Sequence, residues 1–337
     1  MDLKQTRTNI ILALIGSTIG LVAVYCAKLI LLPKREGTEF KSVEDFRSAL
    51  NDSRANGRYR RPDGSLPFAA VINSHPSDDI IYTLKPNLND NFTGVNVKTN
   101  SFGMRSPERP IIKPSVTFRI ALMGDSFAFG WGVDIKSGFA QVIEDLLNQD
   151  LNGSPKVEVL NFGIPGYSTF QEVALFQERA LQFEPDAVLV FLVDNDFDFP
   201  FFIKDSSKES GLVQSFSLSR IDRSNAPLLN AQKAAMKDKG PVKSLTRLIQ
   251  LTDPLHIPVY LAVNPRRDWR NIMKKLSKLH ETSLHFLEFG AEFEEIVKKN
   301  GYTDKDLNLP KDPHPTALRH SIYGKLIAQE LVETIQQ

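Results

Sequence analysis

From Phe118 to the C-terminus, short apolar runs alternate with stretches of helical spacing. Arg119 to Met123, Val157 to Phe162, Ala187 to Val193, Ile257 to Val263 and Leu284 to Leu287 read as strands; the third is a continuous apolar run of the kind buried on both faces. Phe139 to Leu151 and Thr169 to Phe183 read as the helices between the first strands. Thr169, with Glu172 three residues on, forms a candidate capping box. A closing helix is predicted to start at Pro315, with Leu318, Ile322, Leu326 and Ile327 sharing one face. This alternation predicts a three-layer α/β/α domain over residues 118–337 with a mostly parallel sheet of about five strands. In such sheets ligands bind beyond the carboxyl ends of the strands, so the chemistry is expected there.

Upstream the pattern changes. Asn9 to Ala27 carries no charge, and after Lys28 the apolar run resumes as Leu29 to Leu32, enough helix to cross about 30 Å of hydrocarbon. Residues 1–33 are therefore expected to be a transmembrane anchor. The competing reading is a cleaved secretory signal opened by Lys4 and Arg7. No small-x-small cleavage site follows, however, and bulky Tyr25 before Cys26 does not suit a lipoprotein site. Lys28 within the run and Lys34, Arg35 and Lys41 beyond it favour a cytoplasmic main domain, whereas the short basic N-terminus favours an exported one. Residues 34–79 read as a polar stalk with one helix candidate at Ser42 and Asp45, and residues 80–117 as a small strand-containing preamble that includes Val95 to Thr99.

Composition narrows the function more than it names it. Forty-one Lys and Arg balance forty Asp and Glu, for a net charge of +1, so no summed field would attract nucleic acid. The single cysteine, Cys26, excludes an intrachain disulfide framework and any Cys-cluster zinc site. The six histidines show no metal-ligand spacing and no phosphate-binding glycine loop occurs, so no metal or cofactor is expected. The oligomeric state is left open.

The first three strands each end in polar residues set among turn formers. After Met123 come Gly124, Asp125, Ser126 and Phe127, where glycine lets the chain turn sharply and expose the Ser126 hydroxyl and amide; the plain alternative is a common turn. After the second strand run Asn161, Phe162, Gly163, Ile164, Pro165 and Gly166. Gly166 can present its N–H to an oxyanion, or the two glycines can simply allow close packing. Asp194, Asn195 and Asp196 follow the third strand. The Asn195 carboxamide can donate to developing negative charge as a carboxylate cannot, while Asp196 and Asp198 are candidates for turn caps. Last comes Asp312, Pro313, His314, in which the carboxylate can orient the imidazole and the imidazole can take a serine's proton. His320 is the rival base, expected within a helix body in packing or in solvent.

Together these four blocks resemble the SGNH/GDSL hydrolase family, from Phe118 to the C-terminus. The lead-in Thr99-Asn100-Ser101-Phe102-Gly103-Met104-Arg105 is similar to segments preceding the core in bacterial envelope members. The resemblance implies a serine esterase with Ser126 as nucleophile and His314 as base oriented by Asp312. It also implies an oxyanion site formed by the Ser126 N–H, the Gly166 N–H and the Asn195 side chain. The implied substrates are small-molecule or polysaccharide esters, such as O-acetyl groups on envelope polymer or lipid-like esters. With the short basic N-terminus, the resemblance favours an exported, periplasmic-side domain held by the single span read from the apolar run. O-acetyl transfer to an exported polysaccharide and a catalytically silent binding protein are the alternatives. Two departures stand out: Val193 replaces the usual glycine two residues before Asn195, and the Asp312-x-His314 spacing is one residue shorter than the common form. Beyond Asn195, Phe197, Phe199, Phe201 and Phe202 precede a long polar stretch that has the length of a lid, and these rings are expected to pack beneath it or to line an apolar mouth.

Overall fold

The computed structural model describes residues 60–193, 196, 202–205, 211–214, 239–265, 274 and 284–336, all within the compact unit Phe40–Gln337. The expected anchor and most of the stalk, including the helix candidate at Ser42, lie outside the described residues. Among the described residues no helix is long and apolar enough to cross a membrane.

The preamble begins with a short antiparallel pair, β1 (Ile72–Ser74) and β2 (Tyr82–Leu84), followed by a hairpin of β3 (Asn89–Phe92) and β4 (Val95–Lys98). Residues 65–79, expected as the end of the stalk, belong to this layer: Leu66, Ala70, Val71 and Ile72 are buried in the same core as Tyr82 and Phe92. The apolar run from Leu66 to Ile72 has the burial tendency of a core segment, which the polar residues on either side of it mask.

The predicted sheet is present. Strands β5 (Thr117–Gly124), β6 (Lys156–Asn161), β7 (Ala187–Leu192), β10 (Val259–Val263) and β11 (Leu284–Leu287) form five parallel strands in the order β11-β10-β7-β5-β6. Between β7 and β10, β8 (Phe202–Asp205) and β9 (Gly211–Gln214) pair antiparallel. Every residue of β7 is buried, as a strand covered on both faces requires. One face carries α1 (Ser126–Phe129), α2 (Phe139–Asp150), α5 (Gly290–Asn300), α6 (Asp304–Leu307) and α7 (Ala317–Gln336), whose apolar side chains join the core of Ile120, Leu122, Leu189 and Phe191. The other face, with Ala121, Met123, Val188 and Val190, is covered by α3 (Thr169–Glu178), α4 (Pro241–Thr252) and the preamble. This is a three-layer α/β/α domain, and because all five strands run the same way, the ends of β5, β6 and β7 share one edge.

Two local expectations are corrected. Helix α3 is capped at Ser168 with no side-chain capping bond, since Thr169 Oγ1 donates instead to the Asp196 carboxylate at 3.0 Å. Helix α7 starts at Ala317 rather than Pro315: Pro315 pairs with Asn308 in an isolated bridge and Thr316 accepts the Arg319 N–H at 3.4 Å as the cap. The predicted face of α7 holds, with Ile322, Leu326 and Ile327 buried and Leu318 partly buried against the same core.

Candidate active site

Ser126 opens α1 directly beyond β5. Gly124 makes the exit from the strand, with φ of 159° and no room for a side chain, because a Cβ there would meet that of Ala128 at 2.6 Å. Asp125 caps α1 by accepting the Phe127 N–H at 2.8 Å. Ser126 is consequently held at the first turn of α1, the residue 8 % exposed.

The second block is tied to this turn by hydrogen bonds. Asn161 Nδ2 donates to the Ala128 carbonyl at 2.7 Å and its Oδ1 accepts the Gly163 N–H at 2.9 Å, while the Ile164 N–H donates to the Gly124 carbonyl at 3.1 Å. The two glycines of this loop have different duties. Gly163 lies so close to α1 that a Cβ would sit 2.4 Å from Phe129 N, so its role is packing. Gly166 is exposed, with φ of 82°, a left-handed conformation that suits glycine. Among the described residues neither the Ser126 nor the Gly166 amide N–H has a hydrogen-bond partner.

The fourth block reaches the first from 188 residues away in sequence: His314 Nε2 lies 2.7 Å from Ser126 Oγ. His314 Nδ1 lies 2.5 Å from Asp312 Oδ1, and the same oxygen accepts the His314 backbone N–H at 3.0 Å. The pair thus meets through an Asx turn, in which the carboxylate caps the amide two residues on. Partial burial opposes ionisation of Asp312. The His314 backbone N–H, its imidazole, its charge and the Trp131 indole N–H outweigh that effect and hold the carboxyl below its ordinary range. With Nδ1–H donating to this carboxylate, Nε2 is left as an acceptor for the serine proton. Asp125 Oδ2 is a second acceptor for the same hydroxyl, at a longer 3.0 Å.

Asn195 lies outside the described residues, as do Asp194 and Asp198, Phe197, Phe199 and Phe201. Asp196 serves as a turn cap. Its Oδ2 accepts the Val193 N–H at 2.6 Å and its Oδ1 the Thr169 hydroxyl. It is buried, as are Asp125 and Glu172. Burial, aided by the Asp125 charge, raises Asp196 to about 8, and burial, aided by Asp196 and Asp125, raises Glu172 well above the ordinary carboxylate range. The rival base His320 is fully buried, 5.6 Å from the Phe139 ring in a stacked arrangement. Burial, aided by Arg105, Arg319 and His314, pushes it down to about 3. It is a neutral packing residue, distinct from the serine's partner.

One residue beside the pair carries no signal in the four blocks. Trp131 donates its indole N–H to Asp312 Oδ2 at 3.2 Å and stacks on the His314 ring at 5.0 Å between centroids, 19° from parallel. Its only trace in the sequence is its place between Gly130 and Gly132, directly after the serine helix, where two glycines at positive φ allow a tight turn to aim the ring.

No group of His, Cys, Asp and Glu among the described residues could hold a metal ion.

No curated protein matches the chain. Among solved structures it is similar to a lipase/acylhydrolase from Enterococcus faecalis, at 17% identity over 64% of this chain and 96% of that one, with a TM-score of 0.38. It is also similar to a variant of an acetyl xylan esterase from Geobacillus stearothermophilus, at 17% identity over 66% of this chain and 97% of that one, with a TM-score of 0.42. Residues 122–321 match the GDSL-like lipase/acylhydrolase family, a stretch that covers more than half the chain and spans the first, second and fourth blocks as well as the third. The chain therefore belongs to that family, as an SGNH serine hydrolase acting on esters.

Proposed function

We propose that the chain cleaves its ester through an acyl-enzyme on Ser126. The observation that carries this reading is the relay Ser126 Oγ to His314 Nε2 at 2.7 Å and His314 Nδ1 to Asp312 Oδ1 at 2.5 Å. A neutral hydroxyl is a weak nucleophile. As Oγ attacks the ester carbonyl carbon, its proton passes to Nε2, and Asp312 stabilises the imidazolium that forms. The carbonyl oxygen becomes an oxyanion, for which the amides of Ser126 and Gly166, without a partner among the described residues, are available donors. Asn195 is the third donor in this reading. Collapse breaks the bond to the leaving alkoxide, which takes the proton from His314. Water then attacks the acyl group with His314 again as base, releasing the acid and restoring Ser126.

The substrate in this reading is an O-acyl group, foremost O-acetyl, on an envelope polysaccharide. The chain is held in the membrane by residues 1–33 with the domain on the periplasmic side. The apolar N-terminal run and the lead-in through Arg105 support it. The test is hydrolysis of p-nitrophenyl acetate by the wild type and Ser126→Ala. A fall of about 10³-fold or more is expected, with a fluorophosphonate adduct on Ser126; equal rates would remove the catalytic role. Mass analysis of acetylated polymer identifies the carrier, and a C-terminal alkaline phosphatase fusion that stays inactive would refute export.

A further inference from the structure

Trp131 occupies a position that none of the four blocks explains, and it is held there from two sides. On one side the preamble hairpin meets it: the Phe92 and Trp131 rings pack at 5.2 Å between centroids, 76° from parallel, and Thr93 Oγ1 at the hairpin tip accepts the Gly132 N–H at 3.1 Å. On the other side Arg105, buried in the lead-in, ties down the turn that carries it. Its guanidinium donates to the carbonyls of Phe129 at 2.9 Å, of Gly130, and of Val133 at 2.5 Å. The lead-in is itself knitted by Asn100, whose Oδ1 accepts the amides of Phe102 and Met104 at 3.0 Å each. The indole itself meets the pair, with its N–H on Asp312 and its ring stacked on His314.

We propose that Trp131 is a positioning residue for esterolysis, acting on the ester through Asp312 and His314, and that the preamble exists in part to seat it through Phe92 and Arg105. The proposal rests on the acyl-enzyme reading of Ser126. Two effects follow from the geometry. A carboxylate turns easily about its last torsion; with Oδ1 given to His314 and Oδ2 to the indole N–H, the Asp312 group has one setting. The near-parallel indole also lies against the imidazole that becomes cationic as the serine proton moves. An aromatic face favours a cation, so this contact is stronger in the transition state than in the resting enzyme and acts on turnover. Gly132 shows how closely the two loops fit: a Cβ there would lie 2.3 Å from Leu309 Cδ1, in the loop that leads to Asp312.

The experiment compares p-nitrophenyl acetate kinetics of the purified full-length wild type, Trp131→Phe and Trp131→Leu, each alone and combined with Asp312→Ala. Trp131→Phe keeps a ring and loses the N–H, and its kcat is expected to fall about 5- to 10-fold. Trp131→Leu loses both contacts and is expected to fall about 50-fold, with KM within about twofold of wild type in both, since the proposed role is exerted through Asp312 and His314 and not on the substrate. In the Asp312→Ala background the Trp131→Phe step should cost less than about twofold, because the group it acts on is gone. Phe92→Leu, a milder change, should lower kcat in the wild type and not in Trp131→Leu. The proposal is overturned by kcat values that stay at wild type, by an equal fall with and without Asp312, or by a rise in KM in place of the fall in kcat. If Ser126→Ala retains wild-type activity, the acyl-enzyme reading has failed. If Ser126→Ala is inactive and the Trp131 variants are unaffected, only the present inference has.

Discussion

A Gly163→Ala substitution sets a single methyl group against the segment that carries Ser126. The new Cβ would stand 2.4 Å from Phe129 N, 2.7 Å from Ala128 C and 2.8 Å from Ala128 Cβ. Two of those three atoms are backbone, so no side-chain rotation relieves them. Ordinary contact begins near 3.4 Å, and the loop and α1 must therefore part by about 1 Å. Asn161, bonded to both sides, resists the separation. Overpacking of this kind costs about 1–3 kcal/mol, a fall in melting temperature of roughly 2–12 °C for a domain of this size. The larger consequence is for turnover. If α1 yields, Ser126 Oγ leaves its 2.7 Å contact with His314; if the loop yields, the Gly166 amide is displaced. Either shift is expected to lower kcat by about 10²-fold. Kinetics on p-nitrophenyl acetate, with thermal unfolding of the same sample, checks both numbers. Adding Ala128→Gly removes only the third contact and should restore little. A variant that melts earlier yet keeps the wild-type kcat would refute the coupling between this loop and the serine.

The remaining predictions follow from buried polar groups. Asn161→Ala leaves the Ala128 carbonyl and the Gly163 N–H without their partner and is expected to destabilise the fold by about 2–5 kcal/mol, read by denaturant unfolding. Glu172, raised by burial and by Asp196 and Asp125, holds its proton more tightly folded than unfolded. Its contribution is full below the ordinary carboxylate range and is lost as pH rises through the folded value, so Glu172→Gln should flatten the decline of melting temperature on the alkaline side. His320 is shifted the other way, from 6.5 down to about 3. Its neutral form contributes stability above pH 6.5 that is lost as pH falls toward 3, and His320→Gln should lessen that acid-side loss in a melting-temperature series.

The sheet was legible because its strands are continuous apolar runs, a signal that survives without any knowledge of their neighbours. The three blocks that can be compared were legible for a related reason. Each sits where a run ends, and each contains a glycine or proline that forces a turn at a strand or helix boundary. What the sequence concealed depends on partners far along the chain. Glu172 stands three residues after Thr169, the spacing of a capping box, yet Thr169 bonds Asp196, 27 residues on, and Glu172 is buried with it. Leu66 to Ile72 read as part of a polar stalk because its partners Tyr82 and Phe92 lie in the next segment. Trp131 was invisible for the same reason, since its bond to Asp312 spans 181 residues.

The shorter Asp312-x-His314 spacing raised the question of whether the two side chains can meet, and the answer lies in the backbone around them. The Leu309 N–H donates to the His314 carbonyl at 2.9 Å, the Asp312 N–H to the Leu309 carbonyl at 3.1 Å, and the Thr316 N–H to the Leu307 carbonyl at 3.0 Å. These bonds close residues 307–316 into a compact loop before α7 begins. The helix is then drawn against α2 at Gly324, where a Cβ would lie 2.6 Å from the Val142 side chain. Close approach of α7 to α2 thus helps set where the loop ends, and the loop sets where the imidazole points. A missing residue between Asp312 and His314 is absorbed by an Asx turn that directs both groups inward, so the base is arranged before substrate arrives. Ordering it in advance removes that entropy from the barrier to attack, which is why the pairing tolerates a spacing that departs from the commoner one.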